Sequence, residues 1–251
     1  MRTKLLGLCA AIGLGLGLTP AVEAVPVSML AMKITDSAPP GLDAFQGWVD
    51  AGGFNEGVAG ATDLVNNGLD FKDDFVDTNW ADVLSVRVSM FSGGVEQAYV
   101  EFDAAGTSKT DFFTQANVSD STWSDATGTG NFFSIAGDPG IDRHWFINNN
   151  YGGCGSDVGH LVVIDGDGSQ PCSWETGRLG SVAGGSPNRA FLYSTASTEV
   201  NWNGSSVGVA DVFAVFVTVD RPTSVDEPAP LALLGLTLSG LVAVRRRRRA
   251  A

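Results

Sequence analysis

Residues 83–103 read VLSVRVSMFSGGVEQAYVEFD: two β-rich runs, 83–91 and 98–103, on either side of the turn cluster Phe91-Ser-Gly-Gly94. Alternating apolar and polar residues at period two suit a strand with one face buried, and adjacent glycines between such runs interrupt the chain where it must turn. The same grammar continues in both directions. Short β-rich runs occur at 27–35, 111–114, 131–135, 144–148, 160–165, 189–194 and 212–219, separated by Gly, Asn, Asp and Ser clusters such as 165–168 and 182–187. Stretch 209–217, VADVFAVFV, reads as one buried late strand with Phe213 and Phe216 on opposite faces. Between the two ends of the chain no segment sustains a helical period for three turns, although a short helix fits 43–50 or 114–125. The expected fold is therefore all-β, a two-layer β-sandwich of jelly-roll or lectin-like type. No repeat of 20 to 50 residues stands out, which argues against a solenoid.

Both ends of the chain read differently. Arg2 and Lys4 precede an apolar run at 5–18, and a short stretch ends Val22-Glu23-Ala24. Small residues three and one positions before a cut suit signal peptidase, so 1–24 is expected to be a signal peptide removed after Ala24. At the other end, 228–244 carries no charge in 17 residues and is followed by Arg245, Arg246, Arg247, Arg248 and Arg249. As a helix that span is roughly 26 Å long, slightly short of a ~30 Å hydrocarbon core. Five arginines after an apolar segment stay on the cytoplasmic side and halt export.

The order Val225-Asp226-Glu227-Pro228, LALLGLTLSGLVAV and RRRRR resembles the PEP-CTERM sorting signal of exported bacterial proteins, with Asp226 where the motif's first proline belongs. The resemblance covers about a tenth of the chain. It implies a transient anchor in the inner membrane, recognition at Asp226, Glu227 and Pro228, and cleavage by an exosortase-type membrane protease that delivers the passenger to the cell surface or extracellular polysaccharide. The expected organisation is a signal peptide at 1–24, a passenger domain at 25–224 and a sorting signal at 225–251. The block 145–174, WFINNNYGGCGSDVGHLVVIDGDGSQPCSW, is similar to blocks in other PEP-CTERM passengers of unassigned function.

Stripped of both ends, residues 25–227 hold 27 acidic against 8 basic side chains, about −19, where the whole chain is −13. So acidic a surface argues against nucleic acid or anionic lipid as partner. Of the three cysteines, Cys9 falls in the apolar run near the start, leaving Cys154 and Cys172. An exported chain meets an oxidising compartment, so these two are expected to pair and to stabilise the fold by roughly 3 kcal/mol through loop closure.

Candidate chemistry is sparse. Asp165, Asp167 and Ser169 alternate as calcium-loop oxygens do, with Glu175 as a further candidate ligand, but Gln170 and Thr176 occupy the positions where an EF-hand needs glycine and glutamate. The competing reading is a polar hairpin turn between 160–165 and 173–175. Asp70, Asp73, Asp74 and Asp77 make a second acidic cluster that reads as a solvated loop. Glu101 and Asp103 share a strand face, yet a glycoside hydrolase needs a further, suitably spaced carboxylate that the next residues do not supply. His144 and His160 have no metal-binding spacing, and no GxSxG elbow accompanies them. Trp123 and Trp202, set among small polar residues, are the tryptophans expected at the surface. The expected function is a non-enzymatic structural or adhesive role outside the cell, without an obligatory cofactor. A calcium-supported carbohydrate-binding module is the alternative, and a glycan hydrolase the third reading.

Overall fold

In a computed structural model of the chain, residues 25–37, 43–138, 140–150, 152–165 and 170–221 are described. The signal peptide with Val22 and Ala24, the sorting residues Asp226, Glu227, Pro228 and Arg245 to Arg249, and the candidate ligands Asp167 and Ser169 all lie outside them. Among the described residues no helix is long and apolar enough to cross a membrane.

The described elements are β1 (Val25–Thr35), α1 (Ala44–Val49), β2 (Phe71–Lys72), α2 (Phe75–Thr78), β3 (Val83–Ser92), β4 (Val95–Asp103), β5 (Val118–Ser121), β6 (Phe132–Ser134), β7 (Arg143–Asn150), β8 (Val158–Ile164), α3 (Ser173–Thr176), β9 (Ala190–Ser194), β10 (Val200–Asn201), β11 (Val207–Ala210) and β12 (Val212–Arg221). They form two sheets with antiparallel pairings, one ordered β2-β1-β12-β3-β4-β5 and the other β11-β9-β8-β7-β6, with β10 also paired to β8. The fold is mostly β, as the alternation required. The opening stretch is the β3–β4 hairpin, with Ser85 opposite Asp103 and Ser92 opposite Val95.

Period two decides which residues meet. In β12, Phe213, Val215, Val217 and Val219 enter the principal core, where Trp145, Ile147, Leu161, Val163 and Phe191 of the other sheet join them. The alternate residues Val212, Ala214 and Phe216 pack with Phe91, Leu30 and Leu64 on the opposite face. Strand β8 divides in the same way: Leu161 and Val163 face the shared core, while Val162 and Ile164 meet Trp174 and Trp202 on the outside. Strands buried on both faces read as continuous apolar runs. Phe213 and Phe216 do lie on opposite faces.

Three local expectations are corrected. Stretch 209–217 is two strands, because the chain passes from the second sheet to the first at Asp211: β11 pairs with β9 and β12 with β3. At that step the Asp211 N–H donates to Phe91 O at 2.9 Å, and the Asp211 carboxylate accepts from the Gly93 N–H at 2.9 Å. Residues 111–114 form no strand. Phe112 and Phe113 are consecutive yet both enter the principal core, which a strand's alternation forbids and a loop allows. Residues 173–175 belong to the helical turn α3, so the loop after β8 does not close a β-hairpin.

Strand β7 carries the chief irregularity. Its register against β8 shifts between His144 and Ile147, and Trp145 adopts φ +48°. A bulky residue in the left-handed region is strained and persists only where its surroundings over-determine it. Here its backbone N–H donates to Ile135 O at 2.8 Å and its indole N–H to Ala44 O at 3.1 Å. The ring packs among Trp48, Phe112, Phe113 and Phe213. The bulge turns Trp145 into the shared core and Phe146 to the outer cluster. Gly137 makes room beside it: a Cβ there would lie 1.9 Å from Arg143 O.

Candidate functional site

The disulfide expected from the cysteine count is closed, with Cα atoms of Cys154 and Cys172 5.2 Å apart. It ties the loop after β7 to the start of α3, where a buried ion network surrounds it. Arg143 Nε donates to Glu175 Oε1 at 2.5 Å, its Nη1 lies 3.4 Å from Asp157 Oδ2 and its Nη2 3.2 Å from Cys172 Sγ. The guanidinium also lies over the Trp174 ring at 4.7 Å. The second Glu175 oxygen accepts from the Cys172 N–H at 2.9 Å. Burial raises the Asp157 carboxyl above its ordinary range, with Arg143 acting against it.

A second network lies under α1. His144 Nδ1 is 2.7 Å from Asp165 Oδ1, and the other Asp165 oxygen accepts from the Ala44 N–H. Asp43 caps α1 through the Gln46 N–H, and Phe45 stacks on the His144 ring at 5.6 Å. Burial alone would lower the imidazole's pKa, but the hydrogen bond and charge of Asp165, followed by Asp43 and Asp142, raise it above the usual value. Asp165 and Glu175 therefore belong to separate networks with different cationic partners. The described part of the expected calcium loop brings no two of its ligands together.

The other sequence candidates are dispersed. Asp70 accepts from the Thr35 N–H at 2.8 Å and pairs with Arg189 at 3.2 Å. Asp77 bridges Lys72 and Lys109. Asp73 accepts from the Phe75 N–H, and Asp73 and Asp74 group with Glu56 near the surface. The acidic run is thus a set of separate ion pairs and caps, and only part of it is a solvated loop. On the first sheet, Glu101 shares Arg87 with Glu96 and accepts from Ser85 Oγ at 3.0 Å. Trp123 and Trp202 are buried, against expectation: their indole N–H groups donate to Ser194 O and Asn148 Oδ1, and Trp202 stacks on Trp174 at 5.7 Å. Polar neighbours in sequence did not reveal what would cover them in space.

A cleft of about 450 Å³ opens between α1, the loop holding Phe113, and β6. Phe45, Phe113 and Phe133 give it an apolar floor, while Thr110, Asp111, Thr114 and Ser134 supply polar groups. An aromatic surface with a few polar groups can take a ligand with one apolar and one hydroxylated face. Sequence reasoning missed this cleft because its walls come from segments far apart in the chain. It missed the histidine partners for the same reason: Asp165 and Asp125 are 21 and 35 residues from His144 and His160.

No family model matches the chain, and no curated protein or solved structure matches it.

Proposed function

We propose that the chain is an exported bacterial surface or extracellular-matrix protein. Its passenger is a jelly-roll or lectin-like β-sandwich in a non-enzymatic structural or adhesive role. The observation that carries this reading is the closed Cys154–Cys172 bridge, since such a bond persists in an oxidising compartment. Signal peptidase removes 1–24, and an exosortase-type protease acts near Glu227 and Pro228 after Arg245 to Arg249 have held the chain in the inner membrane. Intact mass of the secreted form tests this directly. The expected mass lacks both ends and rises by two hydrogens on reduction. Replacing the five arginines by serine should leave precursor in the membrane fraction, and equal maturation of the two chains would contradict the sorting claim.

The Phe-lined cleft favours a second reading, a carbohydrate-binding module. Pyranose rings present apolar C–H faces that stack on aromatic side chains, while their hydroxyls need polar partners. This version needs no calcium bridge between Asp165 and Glu175, because each is already engaged elsewhere. In affinity electrophoresis through extracellular polysaccharide, Phe45→Ala should remove the retardation shown by the unmodified protein. Equal mobility of the two in the polysaccharide gel would dispose of binding at this cleft. The glycan hydrolase remains the third proposal, without a structural observation in its favour.

A further inference from the structure

We propose that Asp125, His160 and Glu199 form a binding site for a divalent transition-metal ion, with zinc the best match to the donor set. The three come from separate segments: the turn after β5, strand β8, and the loop leading to β10. One ligand atom from each lies within 4.8 Å of the others. His160 is fully buried, whereas Asp125 and Glu199 are half-buried, so the group rests on the sheet and opens toward solvent on its carboxylate side. Three protein ligands with an open position are what an accessible zinc site requires.

The ligands are held in place by hydrogen bonds, one within the trio and others to its neighbours. Asp125 Oδ2 accepts from the Glu199 backbone N–H at 3.0 Å, and Glu199 Oε2 accepts from Asn149 Nδ2 at 2.6 Å. Ser124 N and Oγ both donate to Ser197 O, at 2.8 and 3.0 Å, which fastens the two ligand-bearing loops together. The Trp123 ring lies 5.5 Å from the imidazole and is itself anchored on Ser194 O. Outer bonds of this kind orient ligands before an ion arrives.

His160 Nε2 is 2.8 Å from Asp125 Oδ1, and among the described residues its Nδ1 has no partner. An ion at Nε2 would take the place of the shared proton. Tetrahedral bonds of ~2.1 Å set ligand atoms about 3.4 Å apart; the Nε2–Oδ1 pair stands at 2.8 Å and the three atoms lie within 4.8 Å of one another, so adjustments of about an ångström bring them into range. Two carboxylates and a neutral imidazole carry two negative charges, matching a dication. Calcium, which takes six to eight oxygens, is the poorer match. In the His144 group the carboxylates likewise accept backbone N–H bonds, but His144 and Asp165 are both buried, so that group opens less to solvent.

The test is titration of chelator-treated protein with zinc chloride against a chromophoric competitor, repeated with cobalt to read visible ligand-field bands. One equivalent per chain is expected, with bands characteristic of a nitrogen-containing site. Glu199→Gln should weaken binding by ~100-fold and Asn149→Ala by ~10-fold. Both residues lie toward the surface, so these variants keep the test informative if His160→Gln fails to fold. Asp73→Asn with Asp74→Asn should change nothing. Absence of a bound equivalent, or equal affinity in Glu199→Gln and the unmodified protein, would overturn the assignment.

Discussion

Replacing Arg143 by methionine should destabilise the fold by on the order of 4 kcal/mol, because it strands buried carboxylates on both sides of the vacated guanidinium. Glu175 is 0% exposed and Asp157 1%, and both face Arg143. Methionine fills much of the same volume and leaves the Trp174 ring a polarisable neighbour, so the loss isolates charge from packing. Urea unfolding should show a lower midpoint with an unchanged slope. Adding Glu175→Gln to Arg143→Met should recover part of the loss, since the double variant no longer buries that anion without its cation. A loss below ~1 kcal/mol in the single variant would mean that water reaches the carboxylates and that the network is not a dry one.

That network shows where sequence reading stops. The near-continuous apolar, β-rich runs at 212–219 and 160–165 located β12 and β8, because a strand buried on both faces is marked locally by its residue types. Nothing local marks Asp211 as the point where the chain changes sheets, since its bonds run to Phe91 and Gly93, more than a hundred residues earlier. Phe112 and Phe113 read as a strand because the residue types suit one, and only the surrounding core shows both pointing the same way. The cysteine pair was legible by elimination. Arg143 and Glu175, which brace the bridge, were not, because arginine and glutamate carry no sign of which partner they will find. Paired charges such as Arg189 with Asp70 lie 119 residues apart in the chain. The candidate metal trio is a product of tertiary structure in the same sense: His160 sits in an ordinary strand pattern, and its two carboxylates come from loops that only the fold brings together.

Asp36→Asn should raise stability by on the order of 3 kcal/mol at pH 8 and by only about 1 kcal/mol at pH 5. Asp36 ends β1's turn with no exposed surface, and among the described residues neither carboxylate oxygen has a hydrogen-bond partner. Gly185 packs so closely that a Cβ there would come within 1.9 Å of Oδ2. Burial pushes the carboxyl from 3.8 to about 7; Arg189 and the Ser186 backbone pull it down, and the Asp211 charge adds to the rise. Below about pH 4 the folded and unfolded chains both hold the proton. Between there and about 7 only the folded chain keeps it, so stability falls as pH rises, and above 7 the full penalty of a buried anion remains. His144 acts in the same direction. Its raised pKa gives stability that is present below the unfolded value of 6.5 and is lost as pH rises through the folded one. The unmodified protein should therefore melt higher at pH 5 than at pH 8. In Asp36→Asn the difference should shrink by the Asp36 share and keep the His144 share. Parallel melting curves for the two proteins from pH 5 to 8 would show that Asp36 ionises freely in the fold. In that case water or a rearranged Arg189 must reach a carboxylate that the packing around Gly185 leaves alone.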